Sequence, residues 1–128
     1  MSPKILVVDD SAMVRHVISS FLEGEGYEIV MSSEAAKVCD LIDEINPDLV
    51  ISDIVMPDMD GYTFLRHIRK EKSPESLPVI IMSTKKREAM EDLFVTYGIS
   101  GYLEKPFEKN QLVALINKAL EDKSDVRN

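Results

Sequence analysis

The chain has 128 residues, of which 45% are hydrophobic and 30% charged, so it has the size and composition of a single globular domain. Its 15 basic and 23 acidic side chains give a net charge of -8, which argues against direct binding to nucleic acid because that requires a basic surface. It contains one cysteine, no apolar run long enough to span a bilayer and no recognisable secretion signal. These features predict a protein that forms no internal disulfide, does not insert into membranes and works in the reducing cytoplasm.

Short apolar runs alternate with helical periods along the chain. In chain order, the first half predicts a strand over residues 4–8, a helix over 12–23, a strand over 27–31, a helix over 34–45 and a strand over 49–52. The second half predicts a helix ending near residue 70, a strand over 79–82, a helix over 87–97, a strand over 102–103 and a helix over 109–121. We expect Ser33 to cap the second helix and Asn46-Pro47 to stop it.

This alternation of five strands with five helices predicts an α/β fold in which helices cover both faces of a parallel sheet. The first, third and fourth strands are almost entirely apolar, as central strands should be, whereas Glu28 in the second strand suits an edge. We expect one domain over residues 1–128, with a core from about residue 4 to residue 121 and a polar tail over 122–128 that frays.

Polar side chains collect where the predicted strands end. Asp9 and Asp10 follow the first strand, Asp53 the third, Thr84 the fourth and Lys105 the fifth. Ligands of an open parallel sheet bind outside the carboxyl ends of its strands, so we expect these side chains to meet there. One lysine cannot neutralise three carboxylates, whereas Mg2+ can, because it commonly takes one or two carboxylates together with waters and phosphate oxygens.

This set of residue types predicts phosphoryl-transfer chemistry. A carboxylate beside magnesium can attack phosphorus and form an aspartyl-phosphate, and the lysine and the threonine would bind the phosphoryl oxygens. Taken alone, each residue has a simpler interpretation: the aspartates and Thr84 could cap helices or form turns, and Lys105 could be a solvated loop lysine. The coincidence of these positions at the strand ends of one sheet favours the site.

Four segments, taken in this order, resemble the motifs of a known family. They are Lys4-Ile5-Leu6-Val7-Val8-Asp9-Asp10-Ser11, Ser52-Asp53-Ile54-Val55-Met56-Pro57 with Asp60-Gly61, Met82-Ser83-Thr84, and Gly101-Tyr102-Leu103-Glu104-Lys105-Pro106-Phe107. From about residue 4 to residue 120 the chain resembles the response-regulator receiver domain of two-component signalling, of the stand-alone, chemotaxis-regulator-like kind. The resemblance implies a flavodoxin-like, doubly wound (βα)5 sheet with strand order 2-1-3-4-5.

The resemblance also implies which residues bind magnesium and accept the phosphoryl group. Asp53 would be the phosphoacceptor and a magnesium ligand. Asp10 would bind the metal directly and Asp9 mainly through water, and the backbone carbonyl of Val55 would complete the protein ligands.

Further roles implied by the resemblance concern switching and partners. Thr84 and Lys105 would contact the phosphoryl group, and Tyr102 would be an aromatic switch that turns inward when Thr84 moves, although a half-buried strand aromatic is an equally good interpretation of that residue. The donor would be a histidine kinase or a histidine phosphotransfer protein, and the output a downstream protein target. The chain would be a signalling domain that catalyses its own phosphotransfer and autodephosphorylation, a monomer or weak dimer, and more plausibly complete than cut from a larger regulator.

Three other function classes fit less well. A flavin or nucleotide enzyme would need a phosphate-binding loop, whereas Asp9-Asp10 repels phosphate without a metal and no glycine-rich phosphate motif is present. A haloacid-dehalogenase-like phosphatase would need a second aspartate two residues after the first, where Ser11 or Ala12 stands. A degenerate receiver that acts only as a scaffold would not need the complete acidic site.

Several residues outside the site receive simpler interpretations. Cys39 lies in an amphipathic pattern and is expected to be a small core residue. His16 and His67 have no metal-ligating residues at the usual spacing and are expected at surface or boundary positions. Lys85 departs from the family pattern, which usually has a small residue after the threonine.

Overall fold

The fold is built on a parallel sheet of five strands in the order β2-β1-β3-β4-β5. The computed structural model describes residues 2–127. Its strands are β1 (Lys4–Val8), β2 (Glu28–Ser32), β3 (Leu49–Asp53), β4 (Val79–Ser83) and β5 (Gly101–Glu104). This order confirms the predicted flavodoxin-like α/β fold and places the strand that contains Glu28 at an edge, as expected from its sequence.

Within the described residues, six α-helices and one short 3-10 helix connect and follow the strands. They are α1 (Ala12–Leu22), α2 (Ala35–Cys39), α3 (Ile42–Ile45), α4 (Gly61–Glu71), the 3-10 helix (Arg87–Met90), α5 (Glu91–Tyr97) and α6 (Lys109–Arg127). No helix of the described part of the chain is long and apolar enough to cross a membrane.

The sheet separates two hydrophobic cores. Successive side chains of a strand point to opposite faces, so Leu6 and Val8 of β1 join one core while Ile5 and Val7 join the other. Helices α2 to α5 cover the first core, and α1 and α6 cover the second. Each fully buried aliphatic side chain contributes about 1.5–3 kcal/mol of transfer free energy. The two cores together hold the strands in register and bring their carboxyl ends to one edge.

The predicted single helix over residues 34–45 is wrong, because the chain forms two short helices there. Asp40 ends α2 as its C-cap, and Leu41 (φ -107, ψ 7) separates it from α3. Aspartate disfavours helix interiors because its side chain competes for nearby backbone groups. Ser33 does not cap α2 either: the N-cap residue is Glu34, whose N–H donates to Oγ of Ser32 at 3.1 Å. Asn46 ends α3 in the left-handed conformation, at the predicted stop.

The last helix is longer than predicted. Helix α6 runs to Arg127 rather than ending near residue 121, so most of the predicted frayed tail is helical; Asn128 lies outside the described residues. The sequence pattern lost its apolar stripe there, but no Gly or Pro follows to stop a helix. Lys123 also anchors this part of α6, because its Nζ lies 3.3 Å from Oδ1 of Asp48 in the loop before β3.

The helical segment over residues 87–97 starts as a 3-10 turn. Lys86, its N-cap residue, makes no capping hydrogen bond with its side chain. The backbone N–H of Arg87 instead donates to Oε1 of Glu104 on β5 at 2.8 Å. An acidic side chain from a neighbouring strand therefore supplies the acceptor that the basic local sequence lacks.

Candidate functional site

Three aspartates meet at the carboxyl edge of the sheet. One carboxylate oxygen from each of Asp9, Asp10 and Asp53 lies within 4.8 Å of the others. Asp9 is fully buried and Asp53 is 8% exposed, whereas Asp10 is exposed to solvent. The structure therefore brings together the three carboxylates that the strand ends predicted.

Asp9 is held in place by hydrogen bonds rather than serving as a helix cap. Its Oδ1 accepts from the backbone N–H of Ser11 at 2.8 Å, and its carbonyl oxygen accepts from Nη1 of Arg15 at 2.6 Å. The cap of α1 is Ser11, whose Oγ accepts from the N–H of Val14 at 3.2 Å. Since Ser11 fills the capping role, Asp10 remains free of it and faces the other carboxylates.

Asp53 ends β3 and has its two carboxylate oxygens in different environments. Oδ1 accepts from the backbone N–H groups of Ile54 at 2.7 Å and Val55 at 3.3 Å. Oδ2 lies 3.0 Å from Nζ of Lys105. Behind it, Gly61 approaches so closely that an added Cβ would lie 2.6 Å from the Cα of Ile54. These contacts fix the orientation of the carboxylate toward the strand edge.

Lys105 is the cation of this edge. Its Nζ donates to Oδ2 of Asp9 at 2.9 Å and to Oδ2 of Asp53 at 3.0 Å, and its side chain is only 15% exposed. Burial alone would lower the pKa of Lys105, but its hydrogen bonds to the two carboxylates and their negative charge outweigh this and raise it. The ammonium is therefore charged at neutral pH and balances only part of the negative charge of three aspartates.

Thr84 and Tyr102 belong to the neighbouring strand ends, and within residues 2–127 neither forms a hydrogen bond with the three carboxylates. Thr84 follows β4 and is exposed. Tyr102 is 9% exposed, and its hydroxyl donates to the backbone carbonyl of Lys85 at 2.7 Å. Burial is the main cause that raises the pKa of Tyr102. The ring thus occupies the inward position; its predicted movement with Thr84 stays a prediction.

The donor set of this edge fits a hard divalent cation. One carboxylate oxygen each of Asp9, Asp10 and Asp53 lies close enough to the others to bind the same ion. Their combined negative charge is larger than the single positive charge of Lys105. Val55 is 64% exposed, and among residues 2–127 no hydrogen bond uses its carbonyl oxygen. Oxygen ligands with a solvent-facing side suit Mg2+, which keeps part of its water shell.

Sequence reasoning missed a second group of residues whose side chains could hold a metal ion. Cys39, Asp40 and His67 place one ligand atom each within 4.8 Å of one another. The expected surface position of His67 is confirmed, because its side chain is 43% exposed, but its proximity to Cys39 and Asp40 was not predicted. The three residues belong to two helices, so their proximity depends on how α2 packs against α4, which sequence spacing does not show. The adjacent Cys39-Asp40 pair was the only available signal.

Comparison with known proteins identifies the family. The family model described as the response regulator receiver domain matches residues 5–117. A probable transcriptional regulator, ycf29, from Pyropia yezoensis is 31% identical over 120 residues, which are 94% of this chain and 54% of that protein. Response regulator Rre1 from Synechocystis sp. is 33% identical over 117 residues, covering 91% and 51%. The chain thus spans about half the length of these curated relatives.

Solved structures agree with this assignment. Chemotaxis protein CheY4 of Vibrio cholerae superposes with a TM-score of 0.83 at 26% identity, over 93% of this chain and 99% of that chain. A response regulator receiver domain protein from Clostridium thermocellum gives a TM-score of 0.85 at 31% identity, over 97% and 98%. The sequence match, the fold and the position of the acidic cluster all agree with one family: the chain belongs to the response regulator receiver domain family.

Proposed function

We propose that Asp53 accepts a phosphoryl group from a phosphohistidine donor in a magnesium-dependent reaction. The observation that carries this proposal is the geometry around one carboxylate. Asp53 lies 3.0 Å from the ammonium of Lys105 and within 4.8 Å of carboxylate oxygens of Asp9 and Asp10. A nucleophile, a cation for the phosphoryl oxygens and a set of metal ligands therefore share one strand edge, as phosphoryl transfer requires.

Four residues would hold the magnesium ion. Asp10 and Asp53 would bind it through their carboxylates and Val55 through its backbone carbonyl, while Asp9 would act mainly through water. When bound, magnesium supplies positive charge that screens the carboxylates from the oxygens of the phosphoryl group.

The side chains of the chain would then carry out the transfer. A carboxylate oxygen of Asp53 forms the new bond to phosphorus as the phosphorus–nitrogen bond of the donor breaks. The donor imidazole keeps the electron pair of that bond and takes a proton from solvent. Lys105 already donates to both Asp53 and Asp9, so it can pass one hydrogen bond to a phosphoryl oxygen while it keeps the other. Hydrolysis of the product by water would be the autodephosphorylation step.

Switching would follow from the neighbours of the phosphoryl group. Thr84 stands at the end of β4, beside the strand that carries Asp53, and its hydroxyl would donate to a phosphoryl oxygen. A shift of Thr84 would also move Lys85, whose carbonyl oxygen accepts a hydrogen bond from the hydroxyl of Tyr102. Tyr102 would thereby report phosphorylation to the surface formed by β5 and its neighbours, where a downstream protein target would bind.

An apolar groove beside the site supports a protein as phosphoryl donor. Five side chains that line it are those of Met13, Val14, Val17, Pro106 and Phe107, and Thr84 and Lys105 also line it. Met13 is 76% exposed. A histidine kinase or histidine phosphotransfer protein docked there would bring its histidine to Asp53. We propose such a partner, a cytoplasmic location, a monomer or weak dimer, and no direct binding to nucleic acid.

Intact-mass measurement after incubation with a small acyl-phosphate and Mg2+ tests the acceptor. The chain should gain the mass of one phosphoryl group, and omission of Mg2+ should prevent the gain. Asp53→Asn should abolish it. Asp58→Asn is the matched control in the same loop, because asparagine can keep the hydrogen bond that Asp58 accepts from the N–H of Ala36. Persistent labelling of Asp53→Asn would place the acceptor elsewhere and overturn the proposal.

A further inference from the structure

A second cluster of side chains that can bind a metal lies between α2 and α4, apart from the acidic edge. Cys39 is the last residue of α2, Asp40 is its C-cap residue, and His67 lies on α4. One ligand atom of each lies within 4.8 Å of the others. We propose that Cys39, Asp40 and His67 bind a transition-metal ion of the zinc class. This site goes beyond the phosphoryl-transfer function and does not depend on it.

One distance of the cluster fits a shared ion. Nε2 of His67 lies 3.7 Å from Oδ1 of Asp40, which is within ion-pair range but longer than the roughly 2.9 Å of a hydrogen bond. Two donors bound at tetrahedral angles to one Zn2+, at about 2.0–2.2 Å each, lie about 3.4 Å apart. The observed separation of the imidazole nitrogen and the carboxylate oxygen therefore differs by only about 0.3 Å from the separation that one shared ion would impose.

The types of donor select the class of metal. A sulfur, an imidazole nitrogen and a carboxylate oxygen form a mixed set that suits Zn2+ or Co2+, whereas Mg2+ and Ca2+ prefer oxygen alone. The acidic edge offers only oxygen ligands from Asp9, Asp10 and Asp53. The two clusters should therefore bind different ions and can be separated in one experiment.

The cysteine of this cluster is buried, whereas its aspartate and histidine face solvent. Cys39 is 8% exposed, and its Sγ lies 3.5 Å from the carbonyl oxygen of Ala36, whereas the side chains of Asp40 and His67 are 83% and 43% exposed. An ion could enter from solvent and keep water as a fourth ligand, as in zinc sites with three protein ligands.

A bound ion would link α2 to α4. Because it would bind the folded site, it would stabilise the folded chain, and its bond to the sulfur of Cys39 would release the thiol proton.

Titration of the tag-free chain with Co2+ in excess Mg2+, followed by absorbance, tests the site. We expect one equivalent of Co2+ to give the charge-transfer band of a cobalt–thiolate bond. Added Zn2+ should remove this band by displacing the Co2+. Asp40→Asn and His67→Gln change partly exposed side chains and should leave the fold intact. Each should weaken Co2+ binding by more than about tenfold, the smallest loss usual when even an indirect partner of a metal is replaced.

Controls separate this site from others in the chain. His16→Gln is the matched histidine control, because His16 is exposed on α1, and it should bind Co2+ as the unaltered chain does. Asp53→Asn should also bind Co2+ with the affinity of the unaltered chain. Zn2+ should slow alkylation of Cys39 in the unaltered chain and not in His67→Gln, which tests the sulfur without replacing it. Absence of the cobalt–thiolate band, or equal Co2+ affinity in His67→Gln, would overturn the proposal.

Discussion

The hydroxyl of Tyr102 donates a hydrogen bond of 2.7 Å to the backbone carbonyl of Lys85. This bond ties the middle of β5 to the residue that follows Thr84. Through this bond, Tyr102 contacts the segment that would move on phosphorylation. Lys85 departs from the family's usual small residue, but it makes this contact through its backbone and not through its side chain.

Replacing Tyr102 by phenylalanine should test this link. Tyr102→Phe keeps the buried ring and removes one hydrogen bond, so we expect a loss of about 1 kcal/mol in the free energy of unfolding. Amide exchange of Lys85 to Arg87 should become faster. Tyr62→Phe is the matched control, since the one hydrogen bond of the Tyr62 hydroxyl within residues 2–127 is to the weak acceptor Sδ of Met90 at 3.6 Å. Equal exchange of that segment in both variants would show that the Tyr102 hydroxyl does not restrain it.

Lys105→Met should separate catalysis from metal binding. The change removes the cation that donates to Asp9 and Asp53 and keeps a side chain of similar length. Loss of such an electrostatic group typically costs about 3 kcal/mol, or roughly a hundredfold in rate. Phosphorylation by a small acyl-phosphate should slow accordingly while Mg2+ binding is retained or strengthened.

The control for this variant is a surface lysine. Lys109→Met breaks an exposed pair in which Nζ lies 3.4 Å from Oε2 of Glu25, and exposed pairs contribute little. Its phosphorylation rate should match that of the unaltered chain. A Lys105→Met chain with an unchanged rate and unchanged binding of its target would show that Lys105 serves only to hold the aspartates.

Gly61→Ala should destabilise the chain even though alanine is the better helix former. Its Cβ would lie 2.6 Å from the Cα of Ile54 and 2.8 Å from the carbonyl oxygen of Asp53, and these backbone atoms cannot move independently of the Asp53 carboxylate. We expect a cost of about 1–3 kcal/mol, together with slower phosphorylation. Gly101→Ala is the control, because its Cβ would meet the flexible end of Leu115. Chemical denaturation of both variants gives the comparison.

The strand ends explain why the acidic site was predictable from sequence. Asp9, Asp53 and Lys105 each stand at or just after the end of a strand, and a parallel sheet places all such ends at one edge. No contact between helices had to be known. The pairing of Lys105 with both carboxylates follows from the same rule.

Lateral contacts between helices explain what was missed. The proximity of His67 to Cys39 and Asp40 requires the break after α2 and the packing of α2 on α4. Neither follows from local periodicity, because residues 34–45 keep an apolar stripe through the break. Helix α6 illustrates a related limit: Lys123 is anchored by Asp48, 75 residues away in the chain.

Asp10→Asn should make the metal-free chain more stable. Asp10 faces Asp9 and Asp53 and does not cap α1, since Ser11 does. Removing its charge relieves repulsion of about 1 kcal/mol, the interaction of two unit charges about 4 Å apart in a water-like dielectric. The same change should weaken Mg2+ binding. In the unaltered chain, the melting temperature should rise with the logarithm of the Mg2+ concentration above the dissociation constant, because the ion binds the folded site.

Asp60→Ala provides the contrast that makes this last prediction decisive. Asp60 caps α4, its Oδ1 accepting from the N–H of Thr63 at 2.8 Å, so its loss should cost about 1 kcal/mol. Thermal melts with and without Mg2+ should therefore give opposite signs for the two aspartates: Asp10→Asn melts higher than the unaltered chain without metal and gains less from Mg2+, whereas Asp60→Ala melts lower and keeps the full gain. If Asp10→Asn also melts lower, and Mg2+ leaves the unaltered chain unchanged, then the carboxylates at the strand ends serve the fold alone, and the metal-dependent function proposed for Asp53 fails with them.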